Sequence, residues 1–304
     1  MEIALAEEWM NPNLFIVGAP KCGTTAWVEY LRSHPGIFFA RVKEPHYFAR
    51  DFPHWCFIRE RDDYLALFEG SGAAPIVGEG SVRYLYSQAA AEEIHRFNPD
   101  ARILIFLRRQ EDFLPSLHNQ QLYNRDESIE SFEQVWHLSG HRPADTIPAN
   151  CREPRFLDYK AMGRFHEQVE RYYALFPPAQ IKVVTFDSWI GNPRPTYIDI
   201  LRFLGVEDDG RTDFPPVNEA KHHRSRLVAS LTQNPAPWVR AASRALTRLT
   251  GRQMGLLSGL RAINRGRGYR AWGRVDPGLK AEIRDYYAAE NRLLAARIDD
   301  GARA

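Results

Sequence analysis

The residues best suited to chemistry lie near the N-terminus, in a loop between two predicted secondary-structure elements. The loop runs from Gly18 to Thr25 and reads GAPKCGTT, between an apolar run and a predicted helix. Backbone N–H groups at the start of a helix have no partner within the helix, and the helix macrodipole adds positive charge there. Gly23 has no side chain, so the backbone can approach an anion closely. The loop is therefore predicted to bind phosphate.

The spacing of the two glycines is that of the nucleoside-triphosphate signature GxxxxGK[ST]. Thr24, however, occupies the position of the signature lysine, and the lysine is found at position 21 instead. A strand-end aspartate for Mg²⁺ is not evident, which argues against a kinase or ATPase. Lys21 at the loop tip is placed to neutralise charge on a departing phosphate oxygen. A plain strand-to-helix turn is the alternative that the glycines alone would support.

Pro20–Thr25 resembles the loop that binds the 5′-phosphosulfate in sulfotransferases dependent on 3′-phosphoadenosine-5′-phosphosulfate (PAPS), which reads roughly PKxGTT. That family also has an arginine ending a central strand and a serine eight residues later, as in Arg108 and Ser116. The resemblance implies that this pair holds the 3′-phosphate of PAPS. It further implies that the donor is bound by Lys21, Cys22, Gly23, Thr24, Thr25 and Ala26. Without the resemblance, Arg108-Arg109 would read as a solvated strand end.

Similarity to the family continues through Lys43–Phe48 (KEPHYF), Gly78–Leu85 (GEGSVRYL) and Val183–Val206. In glycan-type sulfotransferases a glutamate in the position of Glu44 deprotonates the acceptor. The resemblance thus makes Glu44 the candidate general base and His46 the second candidate. The alternative for Glu44 is a surface ion pair with the adjacent Lys43 or with Arg41.

Two positions depart from the glycan-type pattern: Gly80 stands where a lysine is common, and Val82 replaces a proline. Any role for Ser81 or Arg83 is consequently left open. The RKG nucleotide motif of the aryl and steroid branch has no clean match. Arg265, Gly266 and Arg267 are its candidate substitute, as a loop closing on phosphate, and an exposed linker is the alternative.

The pattern of the chain predicts an α/β fold with a P-loop-like central parallel sheet flanked by helices, forming a single domain over residues 1–304. Short apolar runs predict buried strands at Leu14–Val17, Ile103–Leu107 and Ile181–Phe186. Beyond the helix after the phosphate loop, helices are predicted at Tyr159–Phe176, Pro195–Gly205 and Pro277–Ile298. Residues 124–157 are polar and interrupted by prolines, which makes them a candidate acceptor-binding lid or a plain surface excursion.

A basic tract lies between Lys221 and Val275, with twelve Lys or Arg residues and no Asp or Glu. Within it, residues 235–250 carry an arginine every fourth position and predict a basic amphipathic helix. Such a helix suits contact with an anionic membrane surface, or packs its apolar stripe on the core. His222-His223 has no carboxylate or cysteine at ligand spacing nearby, so no metal site is predicted.

Composition limits the classes of function. The 304 residues have a net charge of +2, which argues against a nucleic-acid-binding protein. Three cysteines without a CxxC pair, no signal-peptide pattern and no long apolar stretch predict a cytoplasmic chain, with peripheral membrane contact through residues 235–250.

The sequence therefore predicts an enzyme that transfers the sulfuryl group of PAPS to an acceptor hydroxyl or amine. The second product is 3′-phosphoadenosine-5′-phosphate (PAP), and no metal is required. A glycan or glycolipid is the favoured acceptor, and a small molecule is the alternative. A divergent kinase or NTPase and a non-catalytic nucleotide-binding module are the competing functions.

Overall fold

A computed structural model describes residues 11–217, 221–223, 265–267 and 275–303. The chain divides into two compact units, residues 1–217 with 275–304 and residues 218–274. The first unit contains a five-stranded sheet. Its strands are β1 (Leu14–Gly18), β2 (Ile37–Phe39), β3 (Ile76–Gly80), β4 (Arg102–Leu107) and β5 (Ile181–Thr185).

The strand order is β2-β3-β1-β4-β5, and every neighbouring pair is parallel. All residues of β1 and β3 are buried, as expected for central strands covered on both faces. The predicted α/β fold with a central parallel sheet is confirmed, and β1, β4 and β5 coincide with the three predicted strands. Phe186 lies just beyond β5, in a 3₁₀ turn.

Nine helices flank the sheet in the described part of the first unit. They are α1 (Thr24–Arg32), α2 (Arg61–Leu65), α3 (Ala90–Phe97), α4 (Gln110–Asn124), α5 (Phe132–Leu138), α6 (Tyr159–Met162), α7 (Phe165–Tyr173), α8 (Pro193–Leu204) and α9 (Pro277–Arg303). The predicted helices after the phosphate loop, before Gly205 and at the C-terminal end are confirmed. Gly205 ends α8 in the left-handed conformation, with φ 68°, as its sequence position predicts.

The prediction of one continuous helix over Tyr159–Phe176 is wrong, because the chain breaks between α6 and α7. The Gly163 carbonyl accepts from Gln110 Nε2 (3.3 Å), and the Lys160 carbonyl accepts from the Tyr287 hydroxyl (2.9 Å). A continuous helix would use both carbonyls in its own hydrogen bonds. A Cβ at Gly163 would also lie 2.4 Å from Tyr287 Oη, so α9 packs directly on the break.

The candidate lid, residues 124–157, contains α5, and two ion pairs connect residues within it. Arg142 Nη1 lies 2.5 Å from Glu127 Oε2, and both side chains are almost fully buried. Arg152 Nη2 lies 2.6 Å from Asp126 Oδ2. Trp136 of α5 is buried and donates through Nε1 to Glu282 of α9 (2.8 Å). The segment is thus tied to the body of the first unit, and its role as a lid stays a prediction.

In the second unit the described residues form two antiparallel strands, β6 (Lys221–His223) and β7 (Arg265–Arg267). The candidate phosphate-closing residues Arg265, Gly266 and Arg267 are therefore in a strand, and their contribution to donor binding stays a prediction. The predicted amphipathic helix at 235–250 lies outside the described residues.

Candidate active site

The phosphate loop leaves the central strand β1 and enters α1, as predicted. Gly23 is the residue before the helix and has a left-handed φ of 85°. A Cβ at this position would lie 2.3 Å from Cζ2 of the buried Trp189 ring. Glycine is required here both by the backbone conformation and by the close approach of the indole.

The loop offers backbone donors for an anion. The N–H groups of Cys22, Gly23, Thr24 and Thr25 donate to no acceptor among the described residues. The Gly23 carbonyl already accepts from the third and fourth residues after it, at 2.9 and 3.2 Å, so the helix begins at once. Four N–H groups at a helix N-terminus are suited to bind the oxygens of an anion.

Lys21 extends from the loop toward α4. Its Nζ donates to Gln120 Oε1 at 3.2 Å, and Gln120 Nε2 donates to Asn124 Oδ1 at 2.9 Å. Ser116, which is mostly buried, lies one turn before Gln120 and therefore on the same face of α4. The structure thus turns the face that carries Ser116 toward the phosphate loop. Gln120 was not predicted, although its spacing from Ser116 could have indicated it.

Arg108 and Arg109 have different surroundings. Arg109 is exposed and pairs with Asp187 (Nε–Oδ2 3.0 Å), as a solvated strand end would. Arg108 is partly buried, with Cζ 4.6 Å from the centre of the Phe186 ring. Within the described residues, Arg108 makes no hydrogen bond or ion pair. A guanidinium has five N–H donors, so Arg108 is equipped to bind an anion.

Cys22 is fully buried, and its Sγ lies 3.5 Å from the Pro20 carbonyl oxygen. Burial raises the pKa of Cys22 to about 12, although the nearby charges of Arg108 and Lys21 act to lower it. The side chain is therefore a neutral thiol that packs the loop rather than a nucleophile.

Glu44 lies in the segment after β2 and adopts a left-handed φ of 62°. Its N–H donates to the Gly80 carbonyl at the end of β3 (3.1 Å). Lys43 Nζ donates to Glu44 Oε1 (2.9 Å) and also to Thr25 Oγ1 in the phosphate loop (2.7 Å). The ion pair considered from the sequence therefore exists, and it connects Glu44 to the loop. Arg41, the other candidate partner, donates to the Glu69 carbonyl instead.

Burial acts to raise the pKa of Glu44, but the adjacent His46 and Lys43 outweigh it and lower the pKa to about 2. His46 Nε2 lies 3.7 Å from Glu44 Oε2, which is beyond hydrogen-bond distance. His46 therefore lowers the pKa of Glu44 as a polar group close to the carboxylate and not as a hydrogen-bond donor. The Glu44 carboxylate is ionised at neutral pH, as a general base must be.

His46 lies behind Glu44 and is 0% exposed. Neither ring nitrogen has a hydrogen-bond partner among the described residues, and burial lowers the pKa of the imidazole. Its ring faces those of Trp55, Phe57 and Tyr84, with centroids 6.0 to 6.4 Å away. An acceptor approaching from solvent therefore reaches Glu44 before His46.

Two buried charged residues near this site were not predicted to be part of it. Glu79 Oε2 accepts from the hydroxyls of Tyr64 (3.1 Å) and Tyr84 (3.0 Å), and burial raises the pKa of Glu79 to about 7. Arg83 lies over the Trp55 ring at 3.7 Å, and burial lowers its pKa to about 10. The sequence signal for both residues was their place in the segment Gly78–Leu85, which resembles the family, although no role was predicted for either.

No cluster of three or more metal-ligating side chains occurs in the described ranges. Across the same residues, none of the helices combines the length and apolarity needed to cross a membrane.

Comparison with known proteins adds independent findings. A family model described as the sulfotransferase domain matches residues 11–214. The crystal structure of a sulfotransferase from Alicyclobacillus acidocaldarius is 31% identical in sequence and has a TM-score of 0.60. The match covers 83% of this chain and 99% of that one.

Two curated relatives are more distant. Carbohydrate sulfotransferase 15 of Rattus norvegicus is 29% identical, over 96% of this chain and 54% of the relative. Heparan sulfate glucosamine 3-O-sulfotransferase 6 of Mus musculus is 26% identical, over 64% of this chain and 53% of the relative. The chain spans about half the length of these curated relatives.

Proposed function

Because the chain belongs to the sulfotransferase domain family, as its sequence predicted, we propose that it transfers the sulfuryl group of PAPS to a carbohydrate hydroxyl or amine and releases PAP. The observation that carries this proposal is the meeting of an anion-binding loop and an ionised carboxylate. Lys43 Nζ lies 2.7 Å from Thr25 Oγ1 in the loop and 2.9 Å from Glu44 Oε1. A donor in the loop and an acceptor at the carboxylate would be adjacent.

In this proposal the N–H groups of residues 22–25 and the Lys21 ammonium bind the 5′-phosphosulfate. Arg108 and Ser116 bind the 3′-phosphate, which distinguishes PAPS from ATP. The partly buried guanidinium of Arg108, which has no ion-pair partner among the described residues, supports this assignment.

The reaction is an in-line displacement at sulfur. The acceptor oxygen or nitrogen forms a bond to sulfur while the bond from sulfur to the bridging phosphate oxygen breaks. Glu44 takes the proton of the acceptor, and Lys21 stabilises the charge left on the phosphate oxygen. Positioning and charge stabilisation account for the catalysis, and the scheme needs no metal.

An exposed aromatic side chain close to Glu44 supports a carbohydrate acceptor. Phe57 is 60% exposed, and its N–H donates to the Pro45 carbonyl (3.2 Å), which holds it beside the Glu44 segment. An exposed aromatic ring can stack on the apolar face of a sugar. We propose that the acceptor lies against Phe57 and that residues 124–157 contribute to its binding. Glycolipids and small molecules bearing a hydroxyl are the alternatives.

The cellular compartment is also a proposal. All three cysteines are free thiols, and two of them are buried. Free thiols are typical of a reducing compartment, which supports action in the cytoplasm.

Calorimetric titration with PAP, Mg²⁺-ATP and adenosine 5′-phosphosulfate tests the donor site. Wild type is expected to prefer PAP, and Arg108→Ala to weaken PAP binding about 10- to 100-fold, because it removes charge-assisted hydrogen bonds. Arg109→Ala is the matched control and is expected to bind like wild type. Preference for Mg²⁺-ATP would instead indicate a kinase.

Transfer is tested separately with ³⁵S-labelled PAPS and a panel of chondroitin, heparan sulfate and p-nitrophenyl glucoside. Label is expected to appear on a saccharide. Tight PAP binding with neither transfer nor PAPS hydrolysis would indicate a non-catalytic nucleotide-binding module.

A further inference from the structure

Lys43 joins the phosphate loop to the candidate base. Its Nζ donates to Thr25 Oγ1 (2.7 Å) and to Glu44 Oε1 (2.9 Å), and its side chain is 23% exposed. An ammonium group carries three N–H donors. Within the described residues only these two acceptors contact Nζ, so the third N–H is available to another group.

Both partners of Lys43 are held in place. Thr25 is in the first turn of α1, and its own N–H is one of the four donors offered to an anion. Glu44 is held through its N–H bond to the Gly80 carbonyl. A Cβ at Gly80 would lie 3.0 Å from Val28 Cγ2, so a side chain at position 80 would crowd the end of β3 where Glu44 is bound. Lys43 is therefore the cation at the junction of donor loop and base.

We propose that Lys43 is a second catalytic cation, whose third N–H donates to a non-bridging oxygen of the sulfuryl group during transfer. This inference rests on the proposed function and assigns a further residue to that site. The acceptor–sulfur bond forms, the bond from sulfur to the phosphate oxygen breaks, and the acceptor proton goes to Glu44. Lys43 keeps its protons and stabilises charge on the sulfuryl oxygens.

The contact of Lys43 with Glu44 has a second consequence. Charged or titratable groups that act on Glu44 are Lys43, His46, Arg83 and Glu79. Of these, Lys43 donates a hydrogen bond to the carboxylate and so weakens it as a base. When Nζ also donates to a bound sulfuryl group, its hold on the carboxylate is reduced, and Glu44 becomes a stronger base once the donor is present.

The test compares Lys43→Met with Lys182→Met. Lys182 is a matched control because its side chain is 21% exposed and pairs with Asp199 at 2.7 Å. Lys182 lies on β5 and is far from the phosphate loop in the sequence. Turnover is measured as transfer of ³⁵S from PAPS to the saccharide panel and as PAPS hydrolysis, and PAP affinity is measured by calorimetry.

Lys43→Met is expected to lower kcat about 100-fold. Its PAP affinity is expected to stay within about threefold of wild type because PAP has no sulfuryl group, and Lys182→Met to match wild type in both.

The pH profile tests the contact of Lys43 with Glu44, whereas the loss of kcat at unchanged PAP affinity tests its contact with the sulfuryl group. Loss of the Lys43 charge raises the pKa of Glu44, so the acidic limb of kcat/KM is expected to shift to higher pH in Lys43→Met. A kcat within about threefold of wild type, or a loss of PAP affinity as large as the loss of kcat, would overturn the inference.

A third variant, Lys43→Arg, covers the case in which Lys43→Met fails to fold. Arginine keeps the charge but cannot place one compact ammonium between three acceptors, so kcat is expected to fall about tenfold. If Lys43→Met does not fold, an unchanged kcat in Lys43→Arg would count against Lys43. Absence of PAP binding and of turnover in wild type is a different result, because it would refute the proposed function itself.

Discussion

Replacing Gly23 with alanine tests how closely the phosphate loop is packed. The left-handed φ of 85° costs an L-residue about 1–2 kcal/mol. The added Cβ would also lie 2.3 and 2.7 Å from two carbons of the Trp189 ring. That ring is buried against Trp27 and Phe186, at centroid distances of 5.5 and 4.9 Å, so it cannot move away freely. Overpacking of this kind adds about 1–3 kcal/mol. Gly23→Ala is thus expected to lower the free energy of unfolding by about 2–5 kcal/mol.

Gly140 provides a matched control for the backbone contribution. Its φ of 88° is almost the same, but a Cβ there would meet no atom within 4 Å. Gly140→Ala is therefore expected to lose only about 1–2 kcal/mol. Urea unfolding of both variants measures the difference, and calorimetry with PAP is expected to show at least about tenfold weaker binding for Gly23→Ala alone. Equal destabilisation of the two variants would refute the packing argument.

Two further predictions concern buried charges. Glu127→Gln leaves the Arg142 guanidinium buried without its charged partner and is expected to cost about 3–5 kcal/mol in urea unfolding; a cost below about 1 kcal/mol would contradict this. Glu79 has a pKa raised to about 7 from 4.5, so the folded protein keeps a proton that the unfolded chain loses. Its contribution to the free energy of unfolding falls by about 3 kcal/mol as pH rises from 4.5 to 7. Urea unfolding of wild type and Glu79→Gln at pH 4.5 and 8 measures this fall, because only wild type is expected to lose that stability at the higher pH. Parallel pH profiles for the two proteins would exclude this effect.

The sheet could be predicted from sequence only where a strand is continuously apolar. Strands β1, β4 and β5 have that pattern and were predicted. Strand β2 has only three residues, and β3 reads IVGEG, with two glycines and a glutamate that disfavour a strand. Pairing with β1 and burial on both faces stabilise β3 regardless, and neither effect can be read from a short local window.

The candidate site divides in the same way. The residues of the phosphate loop are contiguous, so a local motif predicted them. The contact of Lys43 with Thr25 joins residues 18 positions apart, and that of Lys21 with Gln120 joins residues 99 positions apart. Both depend on how the strands are ordered. The ion pair of Glu44 with the adjacent Lys43 could be predicted from the sequence, but the burial that opposes it and the position of the His46 ring depend on the fold.

The order β2-β3-β1-β4-β5 places the phosphate loop on the middle strand, between neighbours that are followed by different candidate site residues. Arg108 follows β4 on one side of β1, whereas Glu44 follows β2 and Arg83 follows β3 on the other side. Under the proposed function, donor recognition and acceptor recognition are therefore inherited from opposite halves of the sheet. Substitutions around β2 and β3 can then change which acceptor is sulfated while the half that recognises the nucleotide is kept. Libraries for directed evolution of acceptor choice should be drawn from the ends of β2 and β3 together with the candidate lid, residues 124–157.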